Sequence, residues 1–452
     1  MTQVQSLSDH IRENLHLAVP VMLSNLGHVL MAVSDTVMVG HIDAVSLAAA
    51  GLATVAFNVL LLFGIGVSYA ITSLVAEAAG ERNESRIILT LRHGLVINVC
   101  NGILLALVVY FGKNLLYLAG QEREVVTKAI PYLNIITVSL IPVLIFQSFK
   151  QFAEGLGNTR IALAVFMAAN VLNVFLNYGL IFGHFGFDAY GLEGAGWATF
   201  ISRIFMAAAI AVYVYHHPPF RKYRDAFKPY GYVSALFKRL LYLGIPSGVQ
   251  FIFEVAAFDF SLVMMGWLGT PVQAAHQIVI NLASLSYMVT AGLAAAATVR
   301  VGYFYGSSEQ RNVAGASWSL LGMGLILMSF FAVIFITGRN FLPELYINDD
   351  EVISIASTLM IIAGLFQLSD AVQVICNGAL RGLQDVHIPS IFIFISYWVI
   401  GLPLGYWLAF ELQYGPAGIW FGLLIGLTLT ALAMFWRLRS LLRRLALEIP
   451  FK

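Results

Sequence analysis

Four carboxylates stand where carboxylates are costly. Asp35, Glu254, Asp259 and Asp370 each fall inside a long apolar run. An ionised Asp at the centre of a lipid-crossing helix costs about 2.5–3.5 kcal/mol on insertion scales. Groups kept at that cost face a water-filled cavity or a partner, and they often take up a proton or a cation. The competing reading is a carboxylate paired to a neighbouring helix for stability. Spacing helps to separate the two. Ser24, His28 and Asp35 recur at intervals of four and seven, which keeps them near one helix face. Ser247, Gln250, Glu254 and Ser261 make a similar stripe, and so do Asp370, Gln373 and Asn377. Each stripe gives its helix one polar and one lipid-compatible face, as a cavity wall requires. Asp259 lies five residues beyond Glu254, roughly 140° around the helix, so it is expected to be a paired structural residue.

Neutral oxygens accompany the acids. Asn173 and Asn177 are four apart and share a face. They read either as hydrogen-bonding glue between helices or as amide carbonyls that help a carboxylate hold a small hard cation. Thr199 could add a hydroxyl, and Gln277 and Asn281, again four apart, are candidates to line a substrate cavity with His28 and Gln250. Arg203 is the one base deep in a span and is expected to neutralise an acid or reach the interface.

Enzyme signatures are missing: there is no phosphate-cradling loop, no metal-spaced His or Cys set, and no nucleophile with a base nearby. The expectation is a non-enzyme without a cofactor, powered by an ion gradient or an external partner. Cys100 and Cys376 read as small core residues.

These residues must be held by membrane helices. Of 452 residues, 59% are hydrophobic and 11% charged, against roughly 25% charged in soluble domains. Apolar runs of about 20 residues or more, enough to cross the hydrocarbon as helices, are placed at 16–38, 48–77, 93–118, 128–149, 161–184, 192–215, 240–267, 274–300, 313–337, 353–378, 387–411 and 417–437. Segments of alternating polarity, the mark of a membrane barrel, are absent. With the first residues inside, 20 of the Lys and Arg fall on cytoplasmic segments and 4 on outer ones. The positive-inside bias therefore puts both termini in the cytoplasm, in a plasma (inner) membrane. Nothing in the charge pattern points to nucleic acid.

The chain also repeats itself. At an offset of 226, Pro20 falls on Pro246, Val37-Met38 on Val263-Met264, Gly40 on Gly266, Gly66 on Gly292 and Gly80 on Gly306. Each half has an even number of spans, so the halves run in the same direction, related by an axis along the membrane normal. The expected architecture is an all-α integral membrane protein, its 12 helices in two pseudo-twofold-related lobes of six around a central cavity. Residues 1–215 make the N-lobe, 216–239 a basic cytoplasmic linker, and 240–452 the C-lobe. Twofold repeats of this kind favour alternating access. The acids are unevenly placed: His28 takes the position of Glu254, and Asp35 that of Ser261. Both prolines are expected in the first turns of their helices.

Several stretches together resemble the multidrug and toxic compound extrusion (MATE) family, in its NorM-type branch, over essentially the whole chain. They are "VPVMLSNLGHVLMAVSDTVMVGH", "GIPSGVQFIFEVAAFDF", "AAHQIVIN", "LFQLSDAVQVICNGALRGLQD" and "YWVIGLPLGY". The resemblance implies a two-lobed antiporter that exports cationic amphipathic drugs and dyes in exchange for Na⁺ or H⁺. It matches Asp35 to the family's N-lobe acid, with Asn173, Asn177 and Thr199 beside it, and Glu254 and Asp370 to a C-lobe cation site, which implies Na⁺ as a candidate ligand at Asp35 or at the Glu254/Asp370 pair. Members with a C-lobe Na⁺ site can carry a Tyr one turn before the tenth-helix Asp. Here that residue is Phe366, which leaves proton coupling open. A flippase for lipid-linked oligosaccharides, or a channel or receptor without coupling, are the alternative functions; the flippase would call for several bases in the cavity, and only Arg203 is available.

Overall fold

The computed structural model describes residues 5–118, 122–228 and 231–447. Twelve helical spans are long and apolar enough to cross a membrane. They are α1 (Leu7–Gly40), α2 (Ala44–Gly80), α3 (Glu84–Tyr117), α4 (Arg123–Gly155), α5 (Arg160–Phe182), α6 (Gly191–His216), α7 (Ser234–Leu268), α8 (Thr270–Gly306), α9 (Gln310–Thr337), α10 (Asp350–Gly382), α11 (His387–Glu411) and α12 (Pro416–Leu447). No strand occurs among the described residues. Every expected span has its helix, but several run past the apolar stretch. α1 starts at Leu7 rather than 16, and α12 continues to Leu447 rather than 437. Hydropathy sees only the part that lies in hydrocarbon, whereas these helices go on through polar turns.

That extension moves the prolines. Pro20 and Pro246 lie in the interiors of α1 and α7, not in their first turns. An interior proline removes one backbone hydrogen bond and crowds the carbonyl a turn earlier, so both helices carry a built-in weak point.

By packing, the chain divides into two compact units. One comprises Leu23–Ala79 and Asn83–Gly248, the other Met1–Met22, Gly80–Arg82 and Val249–Lys452. They are called here the amino-terminal and carboxy-terminal units. The division is not the one drawn at residues 216–239, because α1 and α7 each change unit two residues past their proline.

Glycines show why. In the amino-terminal unit a Cβ on Gly66 of α2 would sit 2.6 Å from the Gly248 Cα of α7. In the carboxy-terminal unit a Cβ on Gly292 of α8 would sit 3.0 Å from the Ala18 carbonyl oxygen and the Met22 nitrogen of α1. Gly66 and Gly292 are repeat partners, as are Met22 and Gly248. The start of each proline-bearing helix is thus packed, backbone to backbone, on a glycine of the other half's second helix.

Polar ties complete each unit. Arg300 of α8 is buried and donates to the His10 carbonyl at 2.9 Å, Asn14 Oδ1 at 2.9 Å and Gln5 Oε1 at 2.5 Å, while Asn14 donates to Ser319 Oγ at 2.9 Å. In the amino-terminal unit Asn98 Nδ2 donates to Ser68 Oγ at 3.0 Å and Ser148 Oγ at 2.7 Å, joining α3 to α2 and α4. Ahead of α2, Asp43 accepts from the Ser46 N–H at 2.6 Å, which holds its carboxyl below the usual carboxylate range. The basic connection after α6 is not loose either. Residues Pro218–Phe227 form 3₁₀ turns, and buried Phe220 and Tyr223 pack on Phe152 of α4 with ring centroids 5.9 and 5.6 Å away. There Lys222 pairs with Glu84 at 2.7 Å, a contact that holds its ammonium above the usual range.

Candidate functional site

The amino-terminal unit gathers the first set of predicted residues around α1. Asp35 Oδ1 accepts from Asn177 Nδ2 of α5 at 2.6 Å, and the same nitrogen lies 3.2 Å from Asn173 Oδ1. Both asparagines are fully buried. Asp35, His28 and Thr199 line one cavity of about 500 Å³, walled also by Thr54 and Asn58 of α2, Tyr132 of α4 and Arg203 of α6. Drug-sized ligands occupy pockets of roughly 300–1,000 Å³. Asn177 Oδ1 is buried with no hydrogen-bond partner among the described residues. A carboxylate, an open amide carbonyl and a hydroxyl thus share one neighbourhood, an all-oxygen donor set of the kind hard cations take. The His28 ring lies against Phe166 with centroids 3.9 Å apart, so it serves the wall partly by packing.

Arg203 meets its expectation in part: it makes no ion pair among the described residues, but it stays within the bundle and within Coulombic reach of Asp35. Its Nη1 donates to Ser139 Oγ at 2.5 Å, and its guanidinium lies over the Phe57 ring at 4.7 Å. Ser139 occupies the break in α4 between Val138 and Leu140. A positive and a negative side chain therefore line the same cavity without touching.

The carboxy-terminal unit holds the second set. Glu254 Oε1 of α7 accepts from Gln373 Nε2 of α10 at 2.6 Å, and Gln373 Oε1 accepts from the Tyr397 hydroxyl of α11 at 3.0 Å. Asp370 is buried, its Oδ2 has no hydrogen-bond partner among the described residues, and it lies within Coulombic reach of Glu254. Tyr397 is a residue that periodicity misses. It sits in a π-helical stretch, Phe394–Gly401, where wider turns break the 3.6-residue register. Its only signal is a hydroxyl in an apolar run. Phe366 packs between Phe258 and Trp420, each ring centroid 6.0 Å away, and offers the site no oxygen.

Other expectations meet mixed outcomes. Gln250 is buried, whereas Gln277 and Asn281 are exposed on α8 and bonded to each other at 3.3 Å. Asp259 is not a paired structural residue: it is exposed on α7 and makes no hydrogen bond or ion pair among the described residues. Cys376 is buried, but Cys100 is exposed on α3, since α3 turns that face outward. Among the described residues no group of three or more His, Cys, Asp or Glu could hold a metal ion, so a cation at either acid site would rely on amide and hydroxyl oxygens as well.

The repeat has a counterpart in known proteins. Residues 20–179 and 246–407 both match the MatE family, and the second match begins at the repeat offset from the first, proline on proline. The chain belongs to the MatE family. This MatE chain is 36% identical over 442 residues to the "Probable multidrug resistance protein NorM" of Rhizobium meliloti, covering 97% of this chain and 95% of the relative. It is 34% identical to the "Multidrug resistance protein MdtK" of Yersinia pseudotuberculosis, over 95% of each. Among solved structures the eukaryotic MATE transporter AtDTX14 superposes with a TM-score of 0.86 at 20% identity, over 97% of this chain and 98% of that one. A MATE structure in the bent conformation gives 0.89 at 18% identity, over 98% and 99%. The MATE fold thus extends over nearly the whole length, and the protein is a multi-pass membrane protein.

Proposed function

We propose that this protein is an antiporter that exports cationic amphipathic compounds by alternating access, with H⁺ as its coupling ion and Na⁺ as the second candidate. The observation that carries the reading is Asp35, a carboxylate on the wall of a drug-sized cavity, steadied by one amide N–H. The names of the relatives, multidrug resistance proteins, point the same way. In a low-dielectric cavity a carboxylate attracts an organic cation, and a proton arriving on the same oxygen removes that attraction. Two ligands that compete for one charge give exchange rather than co-transport.

The carboxy-terminal unit supports H⁺ over Na⁺. A hard cation needs several oxygens, and here the amide oxygen of Gln373 is taken by Tyr397, Glu254 faces an N–H, and residue 366 lacks a hydroxyl. A buried carboxyl oxygen without a donor, as at Asp370, is satisfied by a proton alone. The experiment is dye efflux from proteoliposomes under an imposed H⁺ or Na⁺ gradient, each alone. Ethidium should move with the H⁺ gradient and not with Na⁺, and Asp35→Asn should abolish it. Export by Asp35→Asn at the wild-type rate and matched reconstitution would sink the proposal.

A further inference from the structure

Among the residues that line the amino-terminal cavity, Asp35 is the one carboxylate and Arg203 the one arginine or lysine. A cation held by Asp35 leaves Arg203 with a neutral hydroxyl and an aromatic face as its contacts. Neither neutralises a guanidinium placed in a membrane bundle, where an uncompensated charge is costly. A guanidinium has five N–H donors in a planar fork. One goes to Ser139, so most of the fork remains open to the cavity. That arrangement is a carboxylate-binding group without its carboxylate.

We infer that Arg203 is an anion-recognising residue of this cavity, which takes zwitterions whose cationic end lies at Asp35 and whose carboxylate lies at Arg203. The inference rests on the antiport reading and goes beyond it, because a simple cation would use only half of the site. The guanidinium is seated on Ser139, at the break in α4, and on the Phe57 ring, with no ion pair to Asp35 but within its Coulombic reach, so a cation bound at Asp35 takes up the countercharge that Arg203 would otherwise share. A ligand of matching polarity satisfies both groups at once, and no other side chain lining the cavity offers Arg203 a countercharge.

The test compares a rhodamine bearing a free carboxylate with its methyl ester, which is a cation of the same shape. Both are measured as dye binding to purified protein and as H⁺-driven flux in proteoliposomes, for wild type, Arg203→Gln and Arg203→Lys. Hydrogen bonds to charged groups are worth enough that Arg203→Gln should lower the carboxylate-to-ester affinity ratio by about tenfold or more. Arg203→Lys should fall between, since it keeps the charge and loses the fork. An unchanged ratio overturns the inference, whether both affinities fall together, as for a structural arginine, or rise together, as for a counterion of Asp35. If the ester is carried and the ratio does not move, only this inference fails. If wild type carries neither dye, the antiport reading fails and takes this inference with it.

Discussion

Asp370 and Glu254 are both acids on polar stripes, yet they are differently placed. Glu254 has a short bond from Gln373. Asp370 has a buried oxygen with no donor among the described residues. Such an oxygen raises the free energy of the folded state, by about 1–3 kcal/mol for an unsatisfied buried group and more when it is charged. A residue retained at that cost is a candidate for function at the expense of stability. Asp370→Asn keeps the shape and removes the charge. It should unfold at a higher temperature in detergent than wild type, and the gap should widen at alkaline pH, where the wild-type carboxyl is pressed to ionise. The same variant should lose H⁺-driven dye efflux. A variant that is less stable than wild type and still pumps would show that Asp370 is a structural residue.

At the scale of helices, the two glycine crossings test whether the repeat is mechanically equivalent. The Cβ that Gly66→Ala adds meets only backbone: the Gly248 Cα at 2.6 Å and its nitrogen at 2.8 Å. At Gly292 the nearest atom is the Met22 Cγ at 2.3 Å, part of a flexible side chain, and the backbone atoms stand off at 3.0 Å. Overpacking costs about 1–3 kcal/mol. Gly66→Ala should therefore fall at the top of that range and Gly292→Ala at the bottom, read as loss of thermal stability of the purified protein. Equal losses would mean that Met22 has no room to move. The helices that make these crossings were legible as apolar runs, because length and hydropathy decide which segments enter lipid. Their ends were not, and with the ends went the placing of Pro20 and Pro246. Asn173 and Asn177 were legible as one helix face because their spacing is regular, whereas their place beside Asp35 was legible only through the family resemblance. Tyr397 was not, because its helix leaves the regular register, and neither was the contact of Arg203 with Ser139. Helix angles decide which hydroxyl meets which base, and one sequence carries no direct trace of them. Asp259 shows the limit of an average rule, since paired acids are the norm inside membranes and this one is exposed.

The whole molecule is a duplicated fold whose halves have diverged in chemistry. At the repeat offset Asp35 corresponds to Ser261, and the surroundings of the two positions explain why the acid stands in one half. Asp35 opens on a cavity of about 500 Å³. Ser261 is completely buried, donates to the Phe258 carbonyl at 2.6 Å, and lies 3.5 Å from His276 Nε2, whose Nδ1 accepts from Trp420 at 3.1 Å. A carboxylate at 261 would find a histidine beside it and no space for a ligand. The double variant Asp35→Ser/Ser261→Asp conserves the number of acids and moves one to the repeat-equivalent site. It should fold, because the new acid can pair with His276, and it should not recover the efflux lost in Asp35→Ser. Efflux from proteoliposomes, with thermal unfolding as the control for folding, decides the matter. Recovery to near the wild-type rate would mean that the halves are interchangeable and that the cavity around Asp35 is incidental to transport.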